Sequence, residues 1–210
     1  MIVTQIVPMS QARCKIYMDQ KFAFVLYKGE LHSYGLREGE EIPDSVYRQI
    51  VTQVLPLRAK KRLMNLLQKK DYTVWQLSEK LKKDGYPGEC IAQALEYVAA
   101  FHYTDDVRYA LSYIRSSQEG KGRRRIEAEL TTKGVAAKDI EKAWEQWEAE
   151  GNVQEEEEQI RQILEKKHYF PEADEKEKRR IFAFLQRRGY SVSAICHVLC
   201  ANSWEIENGT

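Results

Sequence analysis

The sequence predicts a mainly α protein: three tandem three-helix repeats forming an elongated curved array, with a small N-terminal β-hairpin region. Three observations carry this. A glycine with the same apolar neighbours recurs three times, at spacings of tens of residues. Apolar residues elsewhere fall at helical period. Only the first 45 or so residues show the aromatic and β-branched content of strands.

The recurrence is specific. Gly85, Gly134 and Gly189 are each preceded, four residues earlier, by Leu81, Leu130 and Leu185. Eight residues earlier stand Leu77, Ile126 and Ile181. Six residues after each glycine come Ile91, Ile140 and Ile195, and nine and ten after come Ala94-Leu95, Ala143-Trp144 and Val198-Leu199. Apolar residues four apart share one helix face, and a glycine four further on ends the helix by taking a left-handed conformation. A second helix then starts, with its own apolar stripe. An earlier helix precedes each pair, marked by Leu63, Leu66 and Leu67, by Tyr109, Ala110 and Tyr113, and by Ile160, Ile163 and Leu164. Thr73 with Gln76 reads as a capping box, and Ser191 as the cap of the last helix. Pro87 and Pro171 read as separators between helices, the second within an acidic and basic linker from Phe170 to Lys178.

The N-terminal part follows a different period. CKIYMD and FAFVLYK flank Asp19-Gln20-Lys21 and read as a hairpin. A two-stranded ribbon alone is marginal in water, so it should pack on a neighbour or gain a strand from VTQIVP. The predicted boundaries are 1–45 for the β-rich extension, 46–103, 104–151 and 152–204 for the repeats, and 205–210 for a C-terminal tail.

Composition narrows the function classes. The chain has 210 residues, 43% hydrophobic and 31% charged, with a net charge of +1. That fits a folded, heavily solvated helical protein, and any attraction to nucleic acid must come from local patches. No apolar run spans a bilayer, Met1 to Pro8 does not read as a secretory signal, and four scattered cysteines suit a reducing cytoplasm. The chain is read as cytoplasmic, monomeric and without membrane contact. Cys196 and Cys200 lie one helical turn apart around His197, but a structural zinc site needs four ligands, and packing is the better account. No nucleotide-binding loop or catalytic constellation is present, and Gly120-Lys121-Gly122 is too short to cradle a phosphate, so neither an enzyme nor a cofactor is expected.

The charge runs say more. Arg58 to Lys70 carries six basic residues and no acid, Arg108 to Lys133 seven basic and three acidic, and Lys176 to Arg188 six basic and one acidic. Each alone reads as a solvated helix face. Their recurrence at similar places in the repeats suggests one stripe for a long anionic or filamentous partner. The candidate contact residues are Arg115, Lys121, Arg123, Arg124, Arg125, Lys133, Arg179, Arg180, Arg187 and Arg188. Trp144 and Trp147 fall on the core stripe and read as packing.

The stretch from Tyr103 to Val135 resembles the RecX family of RecA-recombinase regulators. The matching residues are Asp105-Asp106, Tyr109-Ala110, Tyr113, Arg115, Gly122, Arg125-Ile126, Glu129-Leu130 and Lys133-Gly134. Phe184 to Leu199 looks like that family's third-unit ending, and Glu30 to Ile42 is similar to its N-terminal extension. The sequence departs from the family at Phe170 to Lys178 and at Trp144, which stands where a smaller aliphatic is expected. The resemblance implies a non-enzymatic protein that binds the RecA–DNA filament along its groove and inhibits strand exchange, ATP hydrolysis and co-protease action. It also implies that single- or double-stranded DNA is a candidate partner. The alternative is a helical module that binds DNA directly, without RecA.

Overall fold

The computed structural model describes residues 1–170 and 174–207, with side chains followed to Cys200. Pro171 and the last three residues of the expected tail lie outside the described residues. The chain divides into two compact units, Met1–Asp105 and the part from Asp106 onward.

The first unit opens with a three-stranded antiparallel sheet, β1 (Val3–Pro8), β2 (Arg13–Met18) and β3 (Lys21–Tyr27), in the order β1-β2-β3. Of the two supports expected for the hairpin, a packed neighbour or a further strand, the strand from Val3–Pro8 is present. Its turn is Asp19-Gln20, with φ of 47° and 66°. Two successive left-handed residues match the right-handed twist of the strands they join. β2 alternates strictly, burying Cys14, Ile16 and Met18. β3 instead buries Phe24, Val25 and Leu26 in succession. Its other face is covered too: a Cβ built at Gly85 would lie 2.3 Å from Val25 Cγ2. A short helix α1 (Lys28–Ser33) and helix α2 (Asp44–Gln49) follow, the latter running into a π-helical turn, Ile50–Val54, and then α3 (Leu55–Leu67).

The widened turn has a cause in sequence. Pro56 has no N–H, and its ring would collide with the carbonyl four residues back in a regular α-helix. Leu55 N–H donates five residues back to Ile50 O. Pro56 cannot do the same for Val51 O, which instead accepts from Cys90 Sγ at 3.5 Å.

The remaining helices are α4 (Val74–Asp84) and α5 (Gly88–Ala100), then α6 (Asp106–Ser117), α7 (Arg123–Thr132) and α8 (Ala137–Ala149), then α9 (Glu156–Lys166), α10 (Glu175–Arg187) and α11 (Val192–Glu207). With α3 they make three three-helix repeats, each with its own core. Gly85, Gly134 and Gly189 have φ of 85°, 82° and 88°. The residue after each donates its N–H to the carbonyl of the recurring leucine: Tyr86 to Leu81 at 3.1 Å, Val135 to Leu130 at 3.1 Å, Tyr190 to Leu185 at 3.4 Å. This six-to-one bond satisfies a helix-end carbonyl that would otherwise be orphaned. Leu77, Ile126, Ile181, Leu81, Leu130 and Leu185 are all buried, each worth about 1.5–3 kcal/mol of apolar transfer.

Both expected caps form. Thr73 Oγ1 accepts from Gln76 N–H at 3.1 Å, and Ser191 Oγ from Ala194 N–H at 3.3 Å. Two details differ from the sequence reading. In the first helix of the second repeat, Ile114 is fully buried while Tyr109 and Tyr113 sit at the rim. The linker expected through Lys178 ends earlier, because Asp174 accepts from Glu177 N–H at 2.7 Å and starts α10 at Glu175.

Candidate interaction face on the second and third repeats

The second and third repeats meet where two helix ends face each other. Gly122, before the first turn of α7, donates its N–H to Arg188 O at the end of α10, at 3.0 Å. A Cβ at Gly122 would stand 2.3 Å from Gly189 O, and one at Gly189 would stand 2.4 Å from Arg125 N. The positive end of one helix thus meets the negative end of another, a favourable pairing of dipoles. Within Gly120-Lys121-Gly122, Gly122 makes room for a neighbouring backbone. Arg188 Nη1 donates to Gly120 O at 3.2 Å, Gln154 Nε2 to Lys121 O at 3.0 Å, and Arg125 Nη1 to Arg187 O at 3.4 Å.

Glu129 organises this seam. Its carboxylate accepts from Lys121 Nζ at 2.6 Å, Tyr113 OH at 2.5 Å and Arg125 Nε at 2.7 Å. Burial alone would raise its pKa, but these donors prevail and hold it at about 2. The same contact raises the pKa of Lys121, while burial, reinforced by Glu129, raises that of Tyr113.

Beside the seam lie two adjoining clefts of about 490 and 350 Å³, sharing Phe184 and Arg187. Their walls carry Lys121, Arg125, Lys166, Lys167, Arg180, Arg187 and Arg188, against one carboxylate, Glu177. Lys167 Nζ and the Arg188 guanidinium lie 4.3 and 4.9 Å from the Phe184 ring centre. Among the described residues, Lys166, Lys167, Arg180 and Arg187 form no salt bridge. A concave surface lined by one sign of charge concentrates field and attracts an anionic partner.

Five of the expected contact residues therefore converge: Lys121, Arg125, Arg180, Arg187 and Arg188. The others do not. Arg123, Arg124 and Arg125 look like one cluster in sequence, but successive helical residues point about 100° apart. Arg123 turns to Glu127 and Glu148, at 2.9 Å each, and covers the Trp144 ring at 4.7 Å. It lines a cleft of about 910 Å³ whose wall includes Glu148 and Glu155 to Glu158. Arg124 is exposed and, among the described residues, forms no ion pair. Arg115 pairs with Glu150 at 2.5 Å, Lys133 lies 5.2 Å from the Tyr113 ring centre, and Arg179 is exposed.

The basic segments of the first and third repeats fall on different helices, while that of the second, Arg108 to Lys133, spans both α6 and α7. Arg58 to Lys70 lies on and just beyond α3, the first helix of its unit, whereas Lys176 to Arg188 follows α10, the second. Measured from the repeat glycine, the first run lies a helix earlier than the third. Lys166 and Lys167 escaped the sequence reading because a lysine pair at a helix end looks like ordinary solvated charge. Glu129 escaped because its value lies in the three donors around it.

Three consecutive stretches match the three-helix domains of one family: RecX first domain over residues 59–97, second over 105–143 and third over 154–199. A regulatory protein RecX of Vibrio parahaemolyticus is 35% identical over 149 residues, covering 70% of this chain and 93% of the relative. One of Caldanaerobacter subterraneus subsp. tengcongensis is 29% identical over 198 residues, covering 93% and 96%. A crystal structure of regulatory protein RecX aligns with a TM-score of 0.62 at 25% identity, over 94% of this chain and 98% of that one. With its three repeats ended by the same glycine device and all three family domains in order, this chain belongs to the RecX family of regulatory proteins.

Proposed function

We propose that this protein regulates RecA recombinase by binding the RecA–DNA filament along its groove, and that it inhibits strand exchange, ATP hydrolysis and co-protease action. The observation that supports the reading is the basic cleft on the third repeat, set in a chain of the RecX family. In this reading the protein acts as a cytoplasmic monomer and without catalysis. Three tandem units touch more than one protomer, so several weak contacts combine through high effective concentration, and filament is bound far better than free RecA. Lys166, Arg180 and Arg187 meet acidic filament surface or DNA phosphates. Lys121, Arg125 and Arg188 hold the seam that positions them.

The test is RecA-driven strand exchange and ATPase with increasing amounts of the protein. Inhibition of both, weakened by Arg180→Glu with Arg187→Glu, is expected. If both activities stay unchanged, the reading fails.

The same cation cluster supports a second reading, a module that binds DNA without RecA. It predicts tight binding to naked duplex with a steep salt dependence, log affinity falling about 0.9 per phosphate contact for each log unit of salt. Weak, shallow-slope binding would remove it.

A further inference from the structure

The first unit holds a cleft of its own, of about 660 Å³, lined by Tyr27, Gln53, Val54, Leu57, Arg58, Lys61, Arg62, Asn65 and Tyr86. We propose that it docks an acidic peptide segment of a partner protein, anchored by one apolar side chain among Val54, Leu57 and the tyrosines.

Four observations point there. Leu57 is 71% exposed, although it stands on a helix whose opposite face is core. A large aliphatic group so placed costs hydration and gains nothing in the free chain. Next, the π-helical turn places Gln53 and Val54 on the cleft wall. That turn is built in, by Pro56 and by the Cys90 thiol on Val51 O. Widened turns of this kind are frequent at functional sites.

Charge is the third. The cleft wall carries Arg58, Lys61 and Arg62 and no carboxylate. Two carboxylates stand behind it. Glu30 receives Arg58, while Asp84 receives Arg62 Nε at 2.8 Å and Arg13 at 3.4 Å. Three arginines thus share two acids. Lys61 has no ion pair among the described residues, and Arg62 keeps both terminal nitrogens for an incoming carboxylate.

The fourth decides between peptide and nucleic acid. The Arg58 guanidinium covers the Tyr27 ring at 4.8 Å, so that face is occupied and does not serve base stacking. What remains open is Tyr86 beside the aliphatic Val54 and Leu57, with two amides, Gln53 and Asn65, of the kind that bond a peptide backbone. Aliphatic anchor, cations and amides together match an acidic chain carrying a leucine-like residue.

The experiment uses the full chain and a fluorescent peptide of about twelve Asp and Glu residues with two central leucines, followed by polarisation. Its background is the double variant Arg180→Glu, Arg187→Glu, which removes the third-repeat cleft as a competing site. Binding in that background is expected to fall at least about tenfold with Leu57→Glu or Lys61→Glu, with circular dichroism unchanged, since both side chains are exposed. Replacing the two central leucines by alanine should weaken binding about fivefold or more. The proposal is overturned if the peptide binds no better than a Gly/Ser control. It is overturned equally if Leu57→Glu leaves binding intact, or if only a single-stranded oligonucleotide binds and depends on Lys61 but not on Leu57. None of these readouts involves RecA, so failure here leaves the regulatory reading standing, and the reverse.

Discussion

Gly85 and Gly189 end equivalent helices with the same backbone geometry, yet they face different neighbours. Over Gly85 stands a side chain, Val25 of β3; over Gly189 stands the backbone of Arg125 at the start of α7. The helix-ending device is common to the repeats. What is built on it differs: in one repeat it seats a sheet, in another it seats the next helix end. A side chain can rotate aside, whereas a hydrogen-bonded helix turn cannot, so the second site should tolerate less.

The largest effect should come from what the repeats share. Leu81→Ala, Leu130→Ala and Leu185→Ala each remove a fully buried side chain and should cost about 2–5 kcal/mol in urea unfolding. A value near zero for any of them would break the equivalence of the three repeats. Next comes the contrast itself. An alanine held at φ near 85° costs about 1–2 kcal/mol at either glycine. Gly85→Ala should stay near about 2 kcal/mol because Val25 can move. Gly189→Ala should exceed it by at least about 1 kcal/mol because Arg125 N cannot. Equal losses would show that the seam gives way as easily as the sheet.

The seam also has a pH signature. Glu129 titrates at about 2 in the folded protein, against an ordinary 4.5. A carboxyl lowered by folding contributes stability above its unfolded pKa and loses it as pH falls toward the folded one. Stability should therefore drop between about pH 4.5 and 2, and Glu129→Gln should flatten that part of the profile while costing about 1–2 kcal/mol at neutral pH. An unchanged profile would mean that Lys121 and Arg125 are held by other groups. The smallest effect is expected at Arg124. Arg124→Glu should change stability by less than about 0.5 kcal/mol, and partner binding less than Arg187→Glu does. If Arg124→Glu proves the more harmful to binding, the contact face lies along α7 and not at the third-repeat cleft.

Much of the fold was legible because its determinants are local. A leucine, three residues and a glycine specify a helix end in all three repeats, and Thr73 and Ser191 announce helix starts by the oxygens they carry. The weakness of a lone hairpin called for either a packed neighbour or a further strand, and the structure supplies the strand. Ile114 was less legible: with tyrosines beside it on α6, the stripe admits two centrings, and only packing shows which one faces the core. The candidate site was legible as charge but not as arrangement. Arg123, Arg124 and Arg125 are neighbours in the chain and strangers in space, while Lys121 and Arg188 meet across 67 residues of sequence.

The sequence by itself determined the repeating unit, its three helices, the glycine that ends the second of them and the local runs of basic residues. These depend on interactions within a turn or two of the chain, where spacing stands in for geometry. Only the tertiary structure decided which cations share a cleft, which are neutralised by Glu127, Glu129, Glu148 or Glu150, and why Gly122 has to be glycine. Those outcomes depend on which helix face meets which neighbour, and close approach between distant backbones leaves no periodic trace in the chain.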